Sequence, residues 1–141
     1  MGFPKNPSRA DVANARVARL ATHNPSGVID VVPITFALVD DDTLVTAVDH
    51  KPKSTRQLQR LANIRQNPDV TVLVDHYDDD WSALWWVRAR ARAQVVDEPD
   101  PALIDALVAK YVQYRDTRPT GPAILIRLTD VASWSARGPG G

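Results

Sequence analysis

The sequence predicts a small antiparallel β-barrel of six strands with helices at its ends. Two observations lead there. Short runs rich in Val, Ile and Thr are separated by strong turn signals, Asn24-Pro25-Ser26-Gly27 and Asp40-Asp41-Asp42. The links between the first three runs are also too short for a parallel crossover, which excludes a doubly wound sheet and leaves closure of an antiparallel sheet as the economical answer. At 141 residues and 44% hydrophobic composition the chain suits a single domain, residues 1–141. Folding at this length removes roughly 68–70% of the unfolded surface from water, so the core needs no disulfide or metal staple.

The elements follow in order. Residues 8–16 open a short helix with Ser8 as its cap, and three strands then run through Val48 as an antiparallel meander. A second helix uses Ser54 or Thr55 as N-cap and closes at Pro68. Residues 70–77 and 82–96 form two more strands, the second strictly alternating, with Arg88, Arg90 and Arg92 on one face and Ala89, Ala91 and Ala93 on the other. Pro99 and Pro101 start a further helix through about Tyr114, in which Leu103, Leu107, Tyr111 and Ile104, Val108, Val112 recur at spacing four. Residues 123–134 supply the sixth strand, and residues 1–7 and the Gly/Pro tail 138–141 are expected to be disordered.

Composition removes several functional classes. The absence of cysteine excludes a disulfide framework, a thiolate zinc site and a cysteine nucleophile. The N-terminus lacks the apolar run of a secretory signal, and no stretch approaches the roughly 18 apolar residues of a membrane span, so a soluble cytoplasmic protein without membrane contact is expected. Seventeen basic and seventeen acidic residues give no net charge, which argues against a nucleic-acid partner. The acidic run of Asp75, Asp78, Asp79 and Asp80 with His76 lacks regular ligand spacing and is not read as a metal site. His23, His50 and His76 are scattered, no G-x-S-x-G elbow exists, and no catalytic residue is named. Reactive chemistry would then come from a bound cofactor.

Two stretches stand out. Lys51, Lys53, Arg56, Arg60 and Arg65 fall within fifteen positions that hold no acid. On a helix Lys53, Arg56 and Arg60 lie within about 60° of one another, away from Leu58, Leu61 and Ala62. The ridge is either a solvated face or an anion site, in which Lys53, Ser54, Thr55 and Arg56 surround unpaired backbone N–H groups at a positive helix end. A local patch in a neutral chain suits a small anion. The second stretch holds Trp81, Trp85 and Trp86, too much aromatic surface to bury in one small barrel, which points to a subunit interface or a ring-binding cleft.

The order of elements in "VARLATHNPSGVIDVVPITFALVDDDTLVTAVDHKPKSTRQLQRLANIRQNPDVTVLVD" resembles the flavin/deazaflavin oxidoreductases with the split β-barrel of pyridoxamine 5′-phosphate oxidase, over about residues 14–135. The shared features are a first strand ending in Ala21-Thr22, a Gly-containing turn, a Val-Pro second strand, a basic helix, and Asn-x-x-x-Asn-Pro from Asn63 to Pro68. "KPKSTRQLQRLANIRQNP" with "VDHYDDDWSALWWVR" is most similar to the actinobacterial branch dependent on the deazaflavin coenzyme F-420. The resemblance implies a six-stranded FMN-binding split barrel, a homodimer with two cofactor sites at the interface, and hydride transfer without an indispensable acid or base. It places Lys53, Ser54, Thr55 and Arg56 at the cofactor phosphate, with Arg60 in the alternative register, and Pro33, Ile34 and Thr35 along the ring. Lys51, Lys53, Arg56 and Arg60 make a longer basic track than one phosphate requires, which tilts the choice from FMN toward F-420 and its acidic tail. The expected activity is reduction of a small conjugated or heteroaromatic acceptor, with an FMN flavoprotein or a non-catalytic F-420 carrier as alternatives. No histidine convincingly matches a proximal haem ligand.

Overall fold

The computed structural model describes residues 3–48 and 55–138, and for residues 55–58 the backbone. Ser8 caps α1 (Arg9–Asn14) in a reciprocal capping box with Asp11. The strands β1 (Ala18–His23) and β2 (Ile29–Ile34) form an antiparallel hairpin. Asn24 Oδ1 shapes its turn by accepting from Ser26 and Val28 N–H, and Gly27 takes φ +85°, a region that favours glycine. Next come β3 (Ala37–Leu38), β4 (Thr43–Ala47), α2 (Thr55–Gln66), β5 (Asp69–His76), β6 (Trp85–Val96), α3 (Pro101–Lys110), α4 (Val112–Asp116) and β7 (Ala123–Ser135). One 3₁₀ turn, Trp81–Ala83, precedes β6.

All seven strands form one antiparallel sheet in the order β2-β1-β5-β6-β7-β4-β3. The sequence predicted six, because it reads residues 28–39 as one strand. The structure interrupts that strand at Thr35 and Phe36, and this interruption sets the architecture. The two edges, β2 and β3, are joined by those two residues alone. A flat sheet of seven strands would hold its edges about 29 Å apart, whereas the three Cα steps from Ile34 to Ala37 reach at most about 11 Å. The sheet must therefore curl until its edges meet. The expected meander is corrected in the same way: the second run pairs with its neighbours in two halves, β2 with β1 and β3 with β4.

Inside the curl lies the main core, with Leu20, Phe36, Leu44, Val72, Ile124 and Ile126 almost fully buried. The alternation in β6 points Ala89, Ala91 and Ala93 into this core and leaves Arg88, Arg90 and Arg92 exposed, as the period of two requires. A bulge after Arg90 sets Thr129 out of register in β7, where its hydroxyl donates to the Arg90 carbonyl, and bends the two longest strands. A second core packs α3 on the outer face: Ile104, Leu107 and Tyr111 against Ala37, Val45 and Ala123. β4 is consequently buried on both faces, Leu44 toward one core and Val45 toward the other. Phe3 packs against the main core, Pro7 is buried and Asn6 donates to the Gly138 carbonyl.

The helix predicted through Tyr114 breaks at Tyr111, whose backbone leaves helical space at φ −116°, ψ 120° although no Gly or Pro is present. A tertiary contact causes the break. The Tyr111 hydroxyl accepts the Phe36 N–H at 3.1 Å and lies within donating distance of the Arg16 and Phe36 carbonyls, at 2.9 and 3.1 Å. Lys110 Nζ donates to the Phe36 carbonyl at 2.9 Å, and the Tyr114 and Thr35 hydroxyls lie 2.7 Å apart. The elbow between α3 and α4 thus clasps the two residues that join the sheet edges. Val112, placed by periodicity on the core face, is exposed as a result. Tyr111→Phe is expected to cost about 1–3 kcal/mol of stability, because it strands a buried Phe36 N–H. In urea denaturation the midpoint falls while the slope stays unchanged.

Candidate functional site

Beside the seam lies a cleft of about 450 Å³, within the range of small-molecule sites. Its walls are Pro33, Ile34 and Thr35 from the end of β2, Thr46, Ala47 and Val48 from β4, Tyr114 and Thr117 from α4 and the loop after it, and Arg60 from α2. Among the described residues no carboxylate lines it.

Arg60 reaches the cleft because α2 is pinned one turn further on. Asn63 is fully buried; its amide nitrogen donates to Thr22 Oγ1 at 3.0 Å and Asp30 Oδ2 at 2.8 Å, and its oxygen accepts from Gln59 at 2.8 Å. Every polar atom of that amide side chain is used, so the helix is fixed in rotation against the β1–β2 hairpin. Leu61 and Ile64 seal the contact in the main core. On this mounting Arg60 points into the space beside the seam, its Nε is buried, and no hydrogen-bond partner for it is found among the described residues. Burial pulls the guanidinium below its ordinary value, and Tyr114 partly offsets this; at the pH of any cell it remains a cation. A second, smaller cleft of about 370 Å³ continues behind Arg60, between Asn63 and Asp30 to Val32.

Of the residues predicted for the site, Pro33, Ile34, Thr35 and Arg60 are brought together here. Thr55 and Arg56 open α2, and their side chains lie outside what is described, as do Lys51, Lys53 and Ser54 altogether. Arg65, from the same basic run, turns away and pairs with Asp97 at 3.0 Å on the surface. The tryptophans are divided. Trp81 is 68% exposed and Trp134 46%, while Trp85 stacks on His76 with ring centroids 6.2 Å apart. The acidic run serves its own turn: Asp80 accepts from Ser82 N–H and Oγ, bonds that hold its carboxyl below the usual range, and Asp78 accepts from Asp80 N–H. Among the described residues no group of three or more His, Asp or Glu is placed to hold a metal ion, and no helix is long and apolar enough to cross a membrane.

Sequence reasoning missed the elbow. Periodicity reads Tyr111 as a core position and does not single out Lys110. Yet a buried tyrosine needs a partner for its hydroxyl, and that signal marks Tyr111 and Tyr114 as polar contacts rather than filler. Lys110 lies with its Nζ 3.7 Å from the centre of the Phe36 ring and 5.2 Å from that of Tyr111. Burial, and then the charge of Arg16, bring its amine down to about 8.

Comparison with known proteins places this architecture. Many solved structures share the fold, three of which illustrate its range. A conserved hypothetical protein of Mycobacterium tuberculosis, Rv2991, has a TM-score of 0.72 at 22% identity, covering 91% of this chain and 82% of its own. A FAD-binding protein of Mesorhizobium loti has 0.66 at 20%, covering 88% and 87%. An F-420 reductase has 0.61 at 23%, covering 86% and 94%. No curated protein sequence matches significantly. The family model for pyridoxamine 5′-phosphate oxidase matches residues 8–135, from the α1 cap to the last residue of β7. With that match over nearly the whole curled sheet, the chain belongs to the pyridoxamine 5′-phosphate oxidase family.

Proposed function

We propose that this protein binds the deazaflavin coenzyme F-420 and reduces a small conjugated or heteroaromatic acceptor. The observation that carries the reading is the half-buried Arg60, whose buried Nε lacks a described partner and which faces a cleft with no carboxylate among its described lining residues. Retaining a buried cation without an acid costs stability, and a bound anion offsets that cost. The residues fit such a cofactor: Arg60 would hold its phosphate or acidic tail, and the backbone of Pro33, Ile34 and Thr35 would flank the ring. Thr46, Ala47 and Val48 would close the opposite side and exclude water. When bound in its reduced form the deazaflavin supplies the hydride. The side chains position and shield; none is assigned a proton transfer.

Lys51, Lys53, Arg56 and Arg60 in sequence favour a ligand with charges beyond a single phosphate, which supports F-420 over FMN. The F-420 reductase among the structural neighbours is consistent with this choice, and the FAD-binding neighbour keeps a flavin as the competing ligand. We also propose a homodimer with its two sites at the interface. Its support is the exposed apolar surface of Val28, Ile29 and Val31 beside β1 and of Trp81 and Trp134 at the far end of β6 and β7.

Titration with F-420 and separately with FMN, followed by quenching of the four tryptophans, tests the cofactor. Tight F-420 and weak FMN binding is expected, and the reverse would make the protein a flavoprotein. Oxidation of the reduced coenzyme on adding acceptor separates a reductase from a carrier. Lys53→Ala and Arg56→Ala should each weaken binding by about 1.5–3 kcal/mol, the scale of a hydrogen bond to a charged group.

Arg60→Met gives an opposed pair of effects. Coenzyme affinity falls by about 1.5–3 kcal/mol, while the cofactor-free protein gains about 0.5–2 kcal/mol of stability as a buried cation is replaced by an apolar chain. Thermal melts with and without coenzyme report both. A variant that loses stability and keeps its affinity would show that Arg60 is structural.

A further inference from the structure

A second cleft, of about 710 Å³, opens on the other side of the Thr35–Tyr114 contact, beside the α3–α4 elbow. Lys110, one of four lysines in the chain, lines it. Its side chain is half-buried, with Nζ 3.7 Å from the centre of the Phe36 ring and 5.2 Å from that of Tyr111, and it donates to the Phe36 carbonyl at 2.9 Å. Among the described residues no acid forms an ion pair with it, and no carboxylate lines the cleft. The charged groups that share the cleft are Arg16 and Arg115, held by the carbonyls of Lys110, Val108 and Ala109; the other titratable ones are Tyr111 and Tyr114.

Structure accounts for part of this placement, because the Lys110 amine covers the ring of fully buried Phe36 and ties its carbonyl. An arginine would do both and stay charged at any pH. A lysine drawn this far from water is ordinarily paired with an acid, whereas the neighbour here is a second cation. The ring face and the carbonyl favour the ammonium; the lost water and the charge of Arg16 oppose it. The balance goes against the ammonium, which brings the amine down to about 8. At about pH 7.5 roughly a quarter of such amines carry no proton, against about one in a thousand for an ordinary lysine. Seating on apolar faces next to another cation is the arrangement that makes a lysine nucleophilic toward carbonyl compounds.

We propose that Lys110 is a nucleophilic amine and that the cleft around it is a covalent site for a small aromatic aldehyde, held as an imine. The neutral Nζ adds to the aldehyde carbon, which forms the C–N bond; the carbonyl oxygen then leaves as water with the two protons that the nitrogen gives up. Nothing is oxidised or reduced in this step, and hydrolysis reverses it. Arg16 and Arg115 keep N–H groups beyond those bound to carbonyls and can stabilise the oxygen as it takes on charge. The rings of Tyr111 and Tyr114, packed edge to face with centroids 5.7 Å apart, give the aromatic body an apolar surface. When the amine turns to the cleft, the Phe36 carbonyl retains its contact with the Tyr111 hydroxyl.

The test uses the full-length protein without cofactor. Benzaldehyde is added at about pH 7.5, imines are trapped with cyanoborohydride, and peptide mass spectrometry assigns the adducts. The Lys110 adduct should form at least tenfold faster than that at exposed Lys5 and should saturate with aldehyde. Lys110→Arg, which keeps a cation over Phe36, should retain slow adducts only. A rate at Lys110 no faster than at Lys5, one that grows linearly with aldehyde, or a fast adduct that persists in Lys110→Arg overturns the site. Trace acetylation supplies the pH profile: labelling of Lys110 should level off above about pH 8, whereas an ordinary lysine climbs beyond about pH 10. A Lys110 profile that climbs in the same way also overturns the proposal and leaves Lys110 the single task of covering Phe36. Neither measurement involves coenzyme, so a failure to bind F-420 would sink the proposed function and leave this site standing.

Discussion

Thr35 and Phe36 are the short link between the two edges of a seven-stranded sheet, and their reach dictates how far the sheet must curl. A link of this kind cannot be held by a strand ladder, because its residues lie between two ladders. Phe36 therefore buries its ring in the core, and its backbone N–H and carbonyl are taken up by Tyr111 and Lys110. An unsatisfied peptide group at this depth would cost about as much as a typical point mutation removes. The break in the α3–α4 helix follows from this demand. Tyr111 gives up helical backbone geometry so that its hydroxyl reaches the seam.

Both clefts inherit their position from the same link. A curled sheet with its edges drawn together leaves recesses where the ladders end, and α2 and the α3–α4 elbow wall them. Asn63 fixes the first wall through a fully used amide, and Tyr111 fixes the second. The cations differ in how they are kept. Arg60 is half-buried, with no described partner for its buried Nε, whereas Arg16, Lys110 and Arg115 are steered by carbonyls that orient charge without cancelling it.

Much of this was legible in the sequence where a single period governs the residues. The alternation of Arg88 to Ala93 fixed the inner and outer faces of β6, and Ser8 marked the start of α1. Pro33, Ile34, Thr35 and Arg60, named from the family resemblance as cofactor contacts, line one cleft. The failures lie where tertiary contacts override local preference. Nothing in Ile34-Thr35-Phe36-Ala37 is a turn signal, and nothing at Tyr111 is a helix breaker, so neither the split of the strand nor the helix break is encoded locally. Both arise because the two segments hydrogen-bond to each other across 75 residues of chain, from Phe36 to Tyr111. The basic run was legible as charge but not as direction. Only the packing of Asn63 shows why Arg60 turns inward and Arg65 outward.

The row of Ala89, Ala91 and Ala93 inside the curl has a consequence for how this protein can change. Small side chains let the opposite walls come close, and the space between them is filled by Leu20, Phe36 and Ile126, which leaves the interior to packing. The cleft beside the seam lies at the rim of this interior, where Arg60 stands outside the packing while Ile34 and Val48 belong to both. A larger side chain in the inner row would have to displace those walls, whereas a charged side chain at the rim can be exchanged without repacking them.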